Sequence, residues 1–298
     1  MKKVLVIGST VADIVINLDR LPTTAEDINI VSQEMALGGC AYNVSSTIRH
    51  FGVPYILFSP IGTGIYGDFI RNQLAAKGLA SKMPTPNQAN GCCYCFVEAS
   101  GERTFVCDHG AEYLFQKEWF EALNMDKISR AYICGLEIED KTGDVIVSFL
   151  EENPGLPIIF APGPRICHID TQLMERIFAM HPMIHLNREE VCGFTGIDHL
   201  EEATKALFAQ TGNTVVVTNG ADGAYYYDGI EMIRVAPAKV GKVVDTIGAG
   251  DSHVGTIISC LENGMSMYDA IKQANAVSAL VVERKGATLT DEEFNQIR

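Results

Sequence analysis

Two carboxylates bracket a run of small residues in Asp245-Thr246-Ile247-Gly248-Ala249-Gly250-Asp251, directly ahead of an apolar stretch of helical period at 254–261. At a helix start the backbone N–H groups have no intrahelical acceptor, and the aligned peptide dipoles add partial positive charge at the same point. Such a turn is an anion cradle, and Gly248, Ala249 and Gly250 leave room for a phosphate to approach it. Asp251, in the first turn, is placed to take the proton of an attacking hydroxyl while the N–H groups hold the transferring phosphoryl oxygens. The chemistry predicted is phosphoryl transfer to an alcohol, with Asp251 as base and the 248–251 turn as anion hole. On Gly-Ala-Gly-Asp alone, a turn closed by a capping aspartate reads equally well.

Two other segments offer groups that suit a hydroxylated acceptor. Gly38-Gly39-Cys40-Ala41-Tyr42-Asn43 combines close backbone approach with a side-chain amide and precedes a helical pattern. Asp13 follows the first strand-like run and Gly8, where a lone aspartate would otherwise pass as a turn former.

The scaffold that must position these residues is legible as alternation. Apolar runs rich in β-branched residues at 4–7, 55–58, 131–134, 158–160, 183–186 and 214–218 predict buried strands. Helical patterns at 41–51, 67–77, 142–152, 172–180 and 200–211 fall between them. Near-continuous apolar strands alternating with helices imply a parallel sheet covered on both faces, with ligands bound at the strands' carboxyl ends. Residues 13–36 and 91–109 break the pattern and read as one small antiparallel sheet. Within it Ile28 and Ile30 alternate with polar neighbours, and Gly101-Glu102 forms a hairpin turn between 94–98 and 103–107. Arg103 is the cation that this sheet can carry towards a pocket; its plainer role is a surface hairpin charge.

Competing sites read poorly. Gly62-Thr63-Gly64-Ile65-Tyr66-Gly67 has the spacing of a dinucleotide fingerprint, but it lies outside the first strand–helix unit and lacks an acidic residue some 20 positions on. No G-x-x-x-x-G-K-[ST] loop occurs. Cys92 and Cys95 form a C-x-x-C within a strand, where their spacing turns them to opposite faces, and the seven histidines show no metal spacing.

Composition bounds the rest. The 298 residues are 47% hydrophobic, enough for a substantial core, and the chain reads as a single domain over 1–298. A formal net charge of −14 leaves no basic stretch for a nucleic acid. No apolar run nears 18 residues and no signal-peptide pattern occurs, so a cytoplasmic protein without a membrane partner is expected. Nine cysteines, an odd number at scattered apolar positions, read as reduced thiols.

The full heptad resembles the C-terminal signature of the ribokinase-like (PfkB) carbohydrate kinases, and Gly39, Asn43, Ser45, Gly52 and Gly62 fall at the spacing of that family's N-terminal signature. The resemblance runs from Lys3 to Gly286. It implies an α/β fold of three layers, a mostly parallel sheet with helices on both faces, plus a small antiparallel β lid that often pairs with a second copy to make a homodimer. It implies ATP and Mg2+ as cofactors, with K+ an open addition, and a sugar or nucleoside as the small-molecule partner. Asp13, Gly38, Gly39, Asn43 and Arg103 would bind that substrate. Asn187 would lie near the nucleotide phosphates, Glu190 would organise Mg2+ through water, and Asp245 would help to bind a monovalent cation. Thr218, Gly220 and Gly223 would form the nucleotide loop, with Asn275 and Gly286 lining the adenine pocket.

The chain also departs from the family. Cys40 stands where several ribose kinases have lysine, Gly64 and Ala161 where aspartate is usual, and His253 where an apolar residue is usual; Arg165 keeps the family's arginine. With no positive charge in the 38–43 loop, a neutral acceptor is expected, so the predicted activity is ATP-dependent phosphorylation of a free sugar. Two alternatives stay open. One is a nucleoside kinase, the pseudouridine type included, which Tyr42 or Tyr94 facing a base would favour; the other is a catalytically silent sugar or nucleotide sensor.

Overall fold

The computed structural model describes residues 2–81 and 83–297. The chain opens with β1 (Lys3–Ile7), β2 (Val11–Leu18), β3 (Ser32–Gly38), α1 (Cys40–His50), β4 (Tyr55–Phe58) and α2 (Gly64–Ala76). A hairpin of β5 (Cys92–Glu98) and β6 (Arg103–Asp108) leads through α3 (Lys117–Glu121) to β7 (Ile128–Cys134), α4 (Gly135–Glu139) and α5 (Gly143–Glu151). There follow β8 (Ile158–Ala161), α6 (Thr171–Ala179), β9 (Met183–Asn187), α7 (Arg188–Thr195), α8 (Leu200–Thr211), β10 (Val215–Thr218), β11 (Ala224–Tyr227) and β12 (Met232–Val235). Helices α9 (Ala249–Glu262), α10 (Met267–Val282) and α11 (Asp291–Phe294) complete it.

Eight strands form the main sheet in the order β12-β11-β10-β9-β8-β7-β1-β4. All pairings from β4 to β10 are parallel, and β11 and β12 add an antiparallel edge. The pleat divides the apolar strand residues between two cores. Leu5, Ile7, Ile133, Phe160, Ile184 and Val217 pack under α5, α6 and α8, while Val4, Val6, Tyr132, Ile159 and Val216 pack under α1, α9 and α10. Every central strand is thus buried on both faces, which is why its sequence runs apolar without alternation. Fully burying one such side chain is worth about 1.5–3 kcal/mol.

The six expected strands and five expected helices are present, with ends shifted by up to three residues. Strands β11 and β12 were not among them. They are four-residue strands joined without a helix, and the Asp228-Gly229 pair between them was the available hairpin signal.

The second sheet has the order β3-β2-β5-β6. Its outer pairings are antiparallel and its central β2–β5 pairing is parallel. The hairpin turns at Ser100–Glu102, where Gly101 has φ +90°. Ile28 and Ile30 lie ahead of the strand rather than in it; β3 begins at Ser32, opposite Asn17, and its own exposed residues hide the alternation. One face of the sheet, with Ala12, Ile14 and Ile16, packs on Ile70 and Leu74 of α2. The other face carries Asp13 in register with Cys93 and Cys107, and Arg103 two strand turns further along β6. Among the described residues no helix is long and apolar enough to cross a membrane.

Candidate active site

Helix α9 begins at the predicted turn. Gly248 is its N-cap, with φ +75°, and a Cβ there would lie 2.2 Å from the Ala287 carbonyl oxygen, so only glycine fits. Asp251, in the first turn, accepts a hydrogen bond from Asn43 Nδ2 at 2.9 Å. That bond ties the start of α9 to the first turn of α1 across 208 residues of sequence. Burial pushes the Asp251 carboxyl up to about 6; the Asn43 hydrogen bond opposes this and the Glu137 charge adds to it. A carboxyl near 6 is a competent base at neutral pH, as most of it is ionised and its basicity exceeds that of an ordinary carboxylate.

Asp13 projects from β2 towards the same space. Burial raises it to about 7, helped by negative charge at Cys107 and Asp251. Gly38 makes room for it, because a Cβ at that position would lie 1.9 Å from Asp13 Oδ2. Gly39, at φ +98°, lies against Ser9, with a built Cβ 2.5 Å from the Ser9 carbonyl oxygen. Glu137, in α4 just past the end of β7, accepts the Ser9 N–H at 2.7 Å and is itself pushed up by burial. Thr10 Oγ1, Asn43 Oδ1 and Glu137 Oε2 are buried without a hydrogen-bond partner. Buried polar atoms are rarely left unpaired, each costing about 1–3 kcal/mol, so this cluster fits a ligand with several hydroxyl groups. Sequence reading did not single out Thr10 or Glu137. The signal for Glu137 was its place three residues beyond a parallel strand's carboxyl end.

Arg103 reaches from the lid to Asp245 and forms an ion pair with it. Asp245 Oδ1 also accepts the Ile247 N–H at 2.8 Å, and Oδ2 accepts the Gly286 N–H at 3.0 Å. Both oxygens of Asp245 are therefore held by the chain's own donors, and they fasten the 284–287 segment to the turn ahead of α9. Gly286 is brought to the Asp245 side of the site.

On the nucleotide side, Asn187 is the N-cap of α7 and forms a reciprocal capping box with Glu190: Glu190 N–H donates to Asn187 Oδ1 at 2.8 Å, and Asn187 N–H to Glu190 Oε2 at 2.9 Å. Burial raises the Glu190 carboxyl above the usual range. Thr218 ends β10, and the loop after it is closed by the Asn219 N–H to Gly223 carbonyl bond at 2.8 Å. Gly223, at φ +91°, lies against β12, where a Cβ would sit 2.4 Å from the Val235 carbonyl oxygen. Asn275 Nδ2 donates to the carbonyls of Val235 and Ala236, which fixes its Oδ1 as acceptor for His253 Nε2 at 3.1 Å. His253 Nδ1 in turn lies 2.8 Å from His185 Nε2, and burial lowers both imidazoles, so a neutral buried chain links β9, α9 and α10. This accounts for a histidine at 253 in structural terms.

Two departures also take a place. Gly62 donates its N–H to Asn90 Oδ1 at 2.9 Å and accepts from Arg71, so the Gly62–Gly67 loop is fastened to the base of the lid. Ala161 ends β8 without a carboxylate, and Arg165 is paired with Glu139 through Nε at 2.6 Å.

The geometry agrees with what the chain is similar to. The pfkB family carbohydrate kinase pattern matches residues 1–293. The chain is 32% identical over 292 residues to the uncharacterized sugar kinase YegV of Escherichia coli (strain K12), covering 96% of this chain and 90% of that one. It is 26% identical over 295 residues to the ribokinase of Mus musculus, covering 95% and 90%. Among solved structures, the ribokinase of Thermotoga maritima superposes with a TM-score of 0.82 at 21% identity, covering 100% and 99% of the two chains. The adenosine kinase of Sinorhizobium meliloti superposes with 0.85 at 19% identity, covering 99% and 98%, so the fold is that of the ribokinases. The chain belongs to the pfkB family of carbohydrate kinases, phosphotransferases that use an alcohol group as acceptor.

Proposed function

We propose that the protein is an ATP-dependent kinase for a free sugar, with Asp251 as the base and the 248–251 turn as the anion hole. The observation that supports this most is the hydrogen bond of Asp251 to Asn43, with the Asp13 and Glu137 carboxyls near enough to act on Asp251 or be acted on by it, beside unpartnered buried atoms of Thr10, Asn43 and Glu137. A sugar hydroxyl held there by Asp13 and Asn43 would give its proton to Asp251. The backbone N–H groups of Gly248 to Asp251 would hold the transferring phosphoryl oxygens, the contribution that usually outweighs the others. The lid, fastened through Arg103 to Asp245, would exclude water, which otherwise competes for the phosphoryl group.

Among the described residues no group of three or more His, Cys, Asp or Glu could by itself hold a metal. Mg2+ is commonly held by one or two carboxylates, waters and the nucleotide's phosphates, and Glu190, raised by burial at the carboxyl end of β9, fits such a share. Bound there, Mg2+ would neutralise charge on the phosphates. Asp245, the expected aid to K+, carries the Ile247 and Gly286 N–H groups and the Arg103 guanidinium on its two oxygens, a set that does not fit a cation, and titration of activity with K+ tests this.

The sugar reading is favoured over the nucleoside reading by the two tyrosines. Tyr42 is buried in the contact between the lid and α2, and Tyr94 packs against that cluster with its hydroxyl 3.3 Å from Tyr66 Oη. Both rings are thus spent in the core beneath the lid rather than presented to a base. The lid leaves Val31 and Val106 exposed, which supports a homodimer through it, and nine cysteines without a disulfide among the described residues support a cytoplasmic protein.

ATP consumption by the purified protein with Mg2+ and K+, against free pentoses, hexoses and nucleosides, tests the reading. A sugar-dependent signal that Asp251→Asn lowers at least about 100-fold is expected, the size of losing a positioned base. Silence across the panel with sugar binding intact would establish a sensor instead.

A further inference from the structure

Cys107 and Cys93 are directly opposed on β6 and β5, with their sulfur atoms 3.4 Å apart. They continue the cross-strand row that starts at Asp13, so they lie on the site-facing side of the lid at the rim of the sugar pocket. Cys107 is exposed and Cys93 half-buried. Two residues on, the His109 imidazole lies close enough to act on the Cys107 thiol, while its Nδ1 lies 2.7 Å from Asp140 Oδ2 and its ring stacks on Tyr113 at 3.9 Å. A sulfur, an imidazole and an orienting carboxylate in sequence are the arrangement that activates a nucleophile. Nothing in the phosphoryl-transfer chemistry uses it.

The electrostatics agree with the geometry. Hydrogen bonds to Cys93 and then to His109 pull the Cys107 thiol down to about 5, and the Cys107 bond pushes His109 up to about 9. Cys93 moves the opposite way, raised by its hydrogen bond with Cys107 first and by burial next. Cys40 shows the contrast: its hydrogen bond with Cys134 first, then burial and nearby negative charge, push it well above the ordinary thiol range.

We propose that Cys107 and Cys93 are a reactive dithiol, which hydroperoxides convert to a cross-strand disulfide. The Cys107 thiolate attacks the terminal peroxide oxygen, the O–O bond breaks, and the leaving hydroxide or alkoxide takes the His109 proton as water or alcohol, giving a sulfenic acid on Cys107. Cys93 sulfur then attacks that sulfur; the S–S bond forms, the S–O bond breaks, and the departing hydroxyl leaves as water with the Cys93 proton. The two thiols lose two electrons and the peroxide gains them. Opposed antiparallel residues have Cα atoms about 4.5–5.5 Å apart, within the span of a disulfide, so the sulfurs need only close from 3.4 Å to about 2.05 Å.

The test uses the full, reduced chain and hydrogen peroxide at neutral pH, without ATP or sugar, so its failure would leave the kinase reading untouched. Intact mass should fall by two hydrogens, peptide mapping should join Cys93 to Cys107, and dithiothreitol should reverse both. Cys93→Ser should stop at a sulfenic acid that dimedone traps on Cys107. Cys107→Ser should form no cross-link, and His109→Asn or Asp140→Asn should slow the reaction about tenfold or more. Absence of the 93–107 cross-link in the wild-type chain, with oxidation spread over exposed Cys167 and half-buried Cys192, would overturn the proposal. So would unchanged rates in both the His109 and Asp140 variants.

Discussion

At the scale of single residues, the proposed chemistry turns on carboxyl groups that burial has made more basic. Asp251 is held up to about 6 and Asp13 up to about 7, in each case chiefly by burial. With Asp251 as the proposed base, phosphoryl transfer would need it ionised, so activity should be present above its pKa and be lost as pH falls through it. With Asp13 taking up a proton in the same range, kcat/KM for the sugar should decline below pH 7 more steeply than one ionisation allows, and a pH profile measures it. Glu137 belongs at this scale too. If its unpartnered oxygen accepts a sugar hydroxyl, Glu137→Gln removes a hydrogen bond to a charged group, worth about 1.5–3 kcal/mol, and should raise the sugar KM roughly tenfold or more. A KM within twofold of wild type would assign Glu137 to holding the Ser9 N–H alone.

At the scale of elements, the proposed anion hole rests on a left-handed glycine that starts α9 hard against the 284–287 segment. Gly248→Ala would place a Cβ 2.2 Å from the Ala287 carbonyl oxygen at φ +75°. The backbone must move, at a strain of about 1–3 kcal/mol, and the N–H groups move with it. Turnover should fall at least about 100-fold, the range for losing an oxyanion donor, while sugar affinity, measured calorimetrically, changes little. The glycines, the strand alternation and the hairpin at Gly101 were legible because each rests on local backbone chemistry. The partners were not. No spacing rule relates Asn43 to Asp251, 208 residues apart, or Arg103 to Asp245, 142 residues apart. Nor could periodicity show that β2 pairs with β5 in parallel, since a four-stranded lid with the same apolar face can be ordered in several ways.

At the scale of the whole molecule, the lid is tied to the body by the Arg103–Asp245 pair on one face and by packing on α2 on the other. Its remaining exposed apolar residues set the expectation for assembly. Light scattering should find a particle of two chains, and Val31→Glu combined with Val106→Glu should return it to one, because two buried like charges would oppose the contact. A wild-type monomer at micromolar concentration would remove the lid dimer from the account.

The sequence by itself determined the three-layer architecture, the glycine turn that starts α9 and the close approach of the Gly38-Gly39 loop, since helix starts, buried parallel strands and close backbone approach are written in neighbouring residues. Tertiary structure alone decided which buried atoms were left without partners, that Asp245 takes Arg103, and that Tyr42 and Tyr94 are turned into the core beneath the lid. It also decided that the tyrosine-rich run 224–227 becomes a strand between β10 and β12 and that His253 joins His185 and Asn275. The physical reason is common to all of these: pairing and desolvation depend on what the fold brings within a few ångströms, and that proximity is set by the packing of distant elements.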